Sequence, residues 1–253
     1  MINLKGHIAL VTGGSRGIGR ATALRLAECG ADVIVNYVSS ASAARETAEE
    51  IVAKGRNAYV IKADVRERAD VRSMMDFITS EIGQLNILIS NAASGGFHLL
   101  LGSTENNFAA AMNTNVLSLI SLVQASAPLL KKSASRAKII AISSHGSTTA
   151  IPWYGLIGAS KAALESVVRH LTLEVGDYAN VNVVRAGLVE TDSTKNIPNA
   201  DRMFAGRAEK TMVGNRYLMP DDVANAVCFL ASPMSDMVQG TVLTVDGGSE
   251  IHI

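Results

Sequence analysis

Apolar residues recur along this chain with two alternating periods. Short, nearly continuous apolar runs occupy 7–12, 32–37, 57–63, 86–90, 137–143, 181–186 and 241–247, without strict alternation of apolar and polar positions. Runs of that kind are expected of strands covered on both faces. Between them, apolar positions return every three to four residues, which predicts helices at about 17–29, 40–54, 67–82, 104–131, 156–175 and 221–231. Regular exchange of strand and helix makes the chain α/β, a doubly wound parallel sheet of about seven strands with helices on both faces. No Pro/Gly/Ser linker, repeat or low-complexity tract divides it, so residues 1–253 are read as one domain. Periodicity fails only at about 190–219, which is read as an irregular insertion.

Composition narrows the class. With 253 residues, 48% of them hydrophobic and 18% charged, the chain is long enough to bury a large core. Lysine plus arginine and aspartate plus glutamate both total 23, so the basic excess of a nucleic-acid binder is missing. Met1–His7 shows no charged segment leading into a long apolar run, and no window is read as reaching the roughly 20 apolar residues of a membrane helix. A soluble, cytoplasmic chain with no membrane partner is expected. The two cysteines, Cys29 and Cys228, fall within predicted helices at no metal-like spacing and are expected to be reduced, buried and inert.

The first strand runs into VTGGSRGIG, residues 11–19, which opens the first helix. Glycines at 13, 17 and 19 in that context suit a dinucleotide: Gly13 for the tight turn, Gly17 for close approach to a pyrophosphate, Gly19 for packing the helix on the sheet. Ser15, Arg16 and Ile18 belong to the same cradle, with helix N-terminal N–H groups facing the phosphates. An acidic residue near the end of the second strand would select NADH; that place holds Asn36 and Tyr37, followed by Ser39 and Ser40. Nothing there repels a 2′-phosphate, and Arg16 is placed to pair with one, so NADPH is the expected cofactor. After the third strand, Asp64 either accepts from the adenine amino group while Val65 packs on the ring, or is a solvated loop aspartate.

Together with NAASGG (91–96), MNTNV (112–116), ISS (142–144), Tyr154, Lys161 and VDGG (245–248), these motifs resemble the short-chain dehydrogenase/reductase family from end to end. The resemblance implies a Rossmann-type fold, with Asn91, Ala92 and Ala93 lining the cofactor and Asn115 holding a water in a proton relay. It also implies that Val189 and Thr191 hold the cofactor carboxamide, in a segment where Ala186 replaces the usual proline. Most members place the catalytic tyrosine four residues before the lysine. Here that position is Ile157, and the tyrosine, Tyr154, stands seven before Lys161. This spacing is similar to that of enoyl-acyl carrier protein reductases, and NAASGG with WYGLIGASKAAL is most like the NADPH-dependent type III. Ser144 matches the catalytic serine of the common branch when counted from Ile157, but not when counted from Tyr154.

On this reading Tyr154 donates to the thioester oxygen, while Lys161 binds the nicotinamide ribose and favours the ionised phenol. His98 and His145 are lone loop histidines with no direct role assigned. Three functions stay open: reduction of an enoyl thioester, reduction of a 3-oxoacyl thioester or other ketone, and a dinucleotide-binding regulator without catalysis. The stretch from Ser193 to Arg216 is expected to be a lid and a docking surface for an acidic acyl carrier protein. It holds Lys195, Arg202, Arg207, Lys210 and Arg216 against only Asp201 and Glu209. The resemblance also implies a homotetramer built on the helices near 104–131 and 156–175.

Overall fold

The computed structural model describes residues 2–192, 194–214 and 216–251. Ser193, where the expected lid begins, lies outside them. The strands are β1 (Ile8–Val11), β2 (Asp32–Tyr37), β3 (Ala58–Lys62), β4 (Ile87–Ser90), β5 (Ala137–Ser144), β6 (Ala179–Ala186) and β7 (Val242–Val245). They form one sheet in the order β3-β2-β1-β4-β5-β6-β7, with every pairing parallel. The helices are α1 (Gly17–Glu28), α2 (Ala41–Ala53), α3 (Arg68–Phe77), α4 (Glu105–Met112), α5 (Ser118–Leu130), α6 (Gly155–Val175), α7 (Ala200–Lys210) and α8 (Pro220–Leu230).

The continuous apolar runs have a direct cause. Leu10, Ile34, Leu88, Ile139 and Val183 face a core built with α3, α5 and α6. Their strand neighbours Val11, Val35, Ile89, Ile140 and Val184 face a second core built with α1, α2 and α8. Each strand thus needs apolar side chains on both faces, worth roughly 1.5–3 kcal/mol for each large one fully buried.

Three expectations need correction. The insertion at 190–219 contains a helix, α7, whose period is faint because it buries only Ala200 and Phe204. These pack with Ile197 in a small cluster apart from both main cores. Glu105–Leu130 is, with a mean hydropathy of 1.3, long and apolar enough to cross a membrane by length and composition. Half of its most apolar window is buried, with Leu119, Leu122 and Val123 in the core, so the apolar character is accounted for by packing against the sheet. Lastly, of the two cysteines expected to be buried only Cys228 is: Cys29 is partly exposed at the end of α1, and its sulfur touches that of Cys228 in α8.

Candidate active site

Strand order reverses between β1, which continues to β2 on one side, and β4 on the other. Ligands of doubly wound sheets bind at the carboxyl ends of the strands beside such a switch point. Here a cleft of about 500 Å³ opens there, lined from the glycine turn at one end to Tyr154 and Lys161 at the other.

The glycine turn is held shut by its neighbours. Gly13 and Gly17 have φ of 62° and 55°, the left-handed region that glycine enters freely. A Cβ on Gly19 would lie 2.2 Å from the Gly13 carbonyl oxygen and 2.5 Å from Asn91 Nδ2, so α1 approaches the turn as closely as atoms allow. Asn91 donates its Nδ2 to the carbonyls of Thr12 and Gly13, at 2.9 and 3.2 Å. Thr12 Oγ1 in turn accepts from the backbone N–H groups of Asn91 and Ala92, both at 3.0 Å. Asn91 thus shapes the cradle as well as lining it.

Asn36 is a correction. Its side chain is buried, accepts from the Gly13 N–H at 3.3 Å and donates to the Ala63 carbonyl at 2.9 Å. It braces the turn rather than facing the ribose. The ribose end of the cleft is walled instead by Tyr37, Val38, Ser39 and Ser40, with Arg16 exposed at its rim. The conclusion that no acid stands there is unchanged. Asp64 and Val65 line the cleft, but the Asp64 carboxylate is gripped by Arg66 at 2.6 Å, which holds it below the usual carboxylate range. Asp64 thus lines the cleft while paired within its own loop, and both readings of it stand.

At the opposite end, Tyr154 is the N-cap of α6, with Gly155 the first helical residue. It reaches the cleft from outside the helix, and the seven-residue spacing works without a shared helical face. The preceding Trp153 has φ of 65°, a left-handed conformation uncommon outside glycine and characteristic of strained site loops. The tyrosine ring stacks on Phe97 with centroids 6.2 Å apart. Its other flank lies on Gly146, where a Cβ would fall 2.4 Å from the ring carbons. Burial raises the phenol above its ordinary pKa, with a hydrogen bond to Ser144 pulling it partly back. The phenol is therefore protonated, and ready to donate, at neutral pH.

Lys161 is buried and donates its Nζ to the Ile142 carbonyl at 2.7 Å. Desolvation lowers its pKa from 10.5 to about 8, against the opposing pull of Glu165 one turn later. Glu165 is itself committed, accepting from Ser143 Oγ at 2.6 Å and from Arg185 at 2.7 and 3.0 Å. Ile157, where the common branch carries its tyrosine, is buried instead. A Cβ on Gly95 would strike its Cγ1 at 2.6 Å, so that position is filled by packing.

Ser144 keeps its place beside the tyrosine although its spacing matches the common branch only when counted from Ile157. It ends β5, lines the cleft and meets Tyr154, because a loop rather than a helix separates the two. Asn115 sits in a π-helical turn, Asn113–Leu117, a feature frequent at functional sites. It donates to the Ser94 carbonyl at 3.0 Å and to Ser160 Oγ at 2.8 Å, tying the loop after β4 to α6. Ala93, Val189 and Thr191 line the cleft, and Thr191 packs within 3.3 Å of the Cβ position of Gly17. His98 and His145 do not line it; His145 turns toward Asp246, 3.3 Å away. Thr114, inside MNTNV, and Gly187, next to Ala186, line the cleft although the sequence reading assigns them no role, and Thr194 lines it without a motif to announce it.

Residues 13–250 match the family model described as Enoyl-(Acyl carrier protein) reductase. The chain belongs to the short-chain dehydrogenase/reductase family. Among curated relatives of this dehydrogenase/reductase, 1-cyclohexenylcarbonyl-CoA reductase of Streptomyces collinus is 32% identical, over 97% of this chain and 87% of its own. Versicolorin reductase 1 of Dothistroma septosporum is 33% identical over 97% of both chains. A short chain dehydrogenase from Burkholderia cenocepacia J2315, solved in complex with NADP, superposes with a TM-score of 0.89 at 35% identity, covering 98% of this chain and 99% of that one. With this family assignment the chain is an oxidoreductase, and its cleft has the glycine cradle and acid-free ribose end that suit a dinucleotide with a 2′-phosphate.

Proposed function

We propose that this protein is an NADPH-dependent enoyl thioester reductase that saturates the 2,3 double bond of an acyl chain, as in the fatty-acid elongation cycle. The observation that carries the reading is the pair Tyr154 and Ile157: the phenol stands at the helix cap, and an apolar side chain fills the position four before Lys161. The relative that reduces 1-cyclohexenylcarbonyl-CoA supports it, by name a reductase of an acyl-CoA.

When bound, NADPH would supply the hydride. Gly13, Gly17, Gly19 and Ser15 would hold its pyrophosphate, with Arg16 beside the 2′-phosphate and Lys161 at the nicotinamide ribose. Tyr154, protonated at rest, donates a hydrogen bond to the thioester oxygen as negative charge gathers there. Ser144 aligns the phenol. Arg16→Ala is expected to weaken NADPH binding about tenfold or more and NADH binding hardly at all, since a charge-assisted bond to phosphate is lost. Fluorescence titration of both cofactors measures this; equal losses would remove Arg16 from the role.

Carbonyl reduction is the second reading, favoured by the contact of Ser144 with Tyr154. NADPH absorbance followed over crotonyl and longer 2-enoyl thioesters and the matching 3-oxoacyl thioesters separates the two. The first reading expects much faster enoyl turnover. Brisk 3-oxoacyl reduction without enoyl activity would install the second.

The expected lid is reduced in charge by pairing, because Lys195 meets Glu190 at 3.0 Å and Arg216 meets Asp222 at 2.6 Å. Arg202, Arg207 and Lys210 of α7 remain together around a cavity of about 360 Å³. We propose that they receive an acidic carrier protein, so turnover of carrier-bound substrate falls with salt and that sensitivity is lost when all three become alanine. Unchanged salt sensitivity would exclude the patch. The outward faces of α4, of the π-helical turn Asn113–Leu117 and of α6, with Phe108, Leu117 and Leu173 exposed, suit assembly into a homotetramer, which light scattering checks.

A further inference from the structure

Cys29 and Cys228 are the only cysteines in the chain and lie 199 positions apart, yet their sulfur atoms are 2.9 Å from each other. Both are free thiols; Cys29 is partly exposed at the end of α1, and Cys228 is buried in α8. The contact sits on the face of the sheet opposite α5 and α6, among residues of the second core such as Leu26, Val227 and Ala231. Arg25 and Glu28, paired at 2.8 Å on the last turn of α1, flank it. Nothing in the reaction proposed above uses these sulfurs.

We propose that this pair is an oxidation site, in which a peroxide converts two thiols to one disulfide that staples the first helix of the fold to the last long one. Cys29, the less buried of the two, gives up its proton and attacks the peroxide O–O bond as thiolate, becoming a sulfenic acid while the expelled hydroxide takes that proton and leaves as one water. The sulfur of Cys228, already in contact, then displaces the hydroxyl from Cys29. An S–S bond forms, the S–O bond breaks, and the Cys228 proton leaves with the hydroxyl as a second water. Two thiols and one hydrogen peroxide give one disulfide and two waters, with two electrons passing from sulfur to oxygen. Burial raises the Cys228 thiol, as does its bond to Cys29, so this sulfur is a poor first nucleophile and suits the resolving role. Contact makes the second step intramolecular and faster than further oxidation of Cys29.

The staple closes a loop that takes in most of the chain, where constraint of the unfolded state is greatest. It lies away from the cleft, so its effect is on persistence rather than turnover. The test treats the folded, full-length protein with a small excess of hydrogen peroxide. Expected are an intact mass lower by two hydrogens, two thiols lost in denaturant, and a proteolytic peptide joining Cys29 to Cys228. Tm should rise by about 5 °C or more and return on adding dithiothreitol, with cofactor affinity unchanged. In Cys228→Ala, dimedone should trap a sulfenic acid on Cys29. Two intact thiols after treatment, a Cys29 to Cys29 dimer, or a sulfinic acid at Cys29 without the cross-link would each overturn the proposal.

Discussion

Replacing Tyr154 by phenylalanine lowers kcat on the preferred thioester by about 10²-fold or more, the cost of removing one donor aimed at developing charge. The fold is expected to tolerate the change, because the ring contacts with Phe97 and Gly146 involve carbon alone. Affinity for NADPH should stay within a factor of about two, as Tyr154 stands at the far end of the cleft from the glycine turn. The two readouts together make the test sharp. A large loss of cofactor affinity would mean that the phenol organises the cleft, and activity within a few-fold of the parent would mean that another group donates.

Lys161→Met produces the second large effect, with opposite signs on activity and on stability. Turnover collapses and NADPH binding weakens, because the cation in the cleft is gone. The cofactor-free protein nevertheless becomes more stable at pH 7. Burial lowers the Lys161 pKa from 10.5 to about 8, so keeping the folded lysine charged at neutral pH costs roughly 3 kcal/mol. The lost bond to the Ile142 carbonyl returns roughly 1 kcal/mol of that, leaving a net gain of about 2 kcal/mol for methionine. The sign of the pH dependence follows from linkage. Between pH of about 8 and 10.5 the unfolded parent holds a proton that the folded parent has released, so parental stability rises with pH across that window. The advantage of methionine therefore shrinks toward pH 10. Denaturant unfolding of both forms at several pH values checks this. A methionine variant less stable than the parent at every pH would show that Lys161 is not carried at a cost.

The fold and the two ends of the cleft were legible in the sequence for definite reasons. A parallel strand covered on both faces must be apolar throughout, and a turn that admits a Cβ nowhere near Gly13 and Gly19 must be written with glycine. Tyr154 and Lys161 stood out because their spacing was wrong for the common arrangement. Asn36 was misplaced by reading the end of a strand as a surface. A polar residue inside DVIVNY, a run otherwise buried, has to find partners within the protein, and it finds Gly13 and Ala63. The contact of Ser144 with Tyr154 could not be read from spacing, because a loop whose path the sequence does not specify joins the end of β5 to the cap of α6. The contact of Tyr154 with Gly146 had no signal, since a close approach between a ring and a backbone leaves only a glycine behind. Helix α7 was missed because two buried side chains on 11 residues make no stripe.

The bracing of the glycine turn has a consequence for how the protein comes into being. The turn closes by residue 19, yet its geometry depends on Asn36, then on Asn91, and Thr191 packs against it from far beyond. Gly187, in the wall of the same cleft, is hydrogen bonded to Val245 near the end of the chain. A growing chain that has only its first β-α units outside the ribosome owns the nucleotide motif without the nucleotide site. At ordinary synthesis speeds the interval between the two is on the order of ten seconds or more. Capture of the dinucleotide then marks the end of folding rather than its beginning, and truncated products that carry an intact glycine motif are born unable to compete for it.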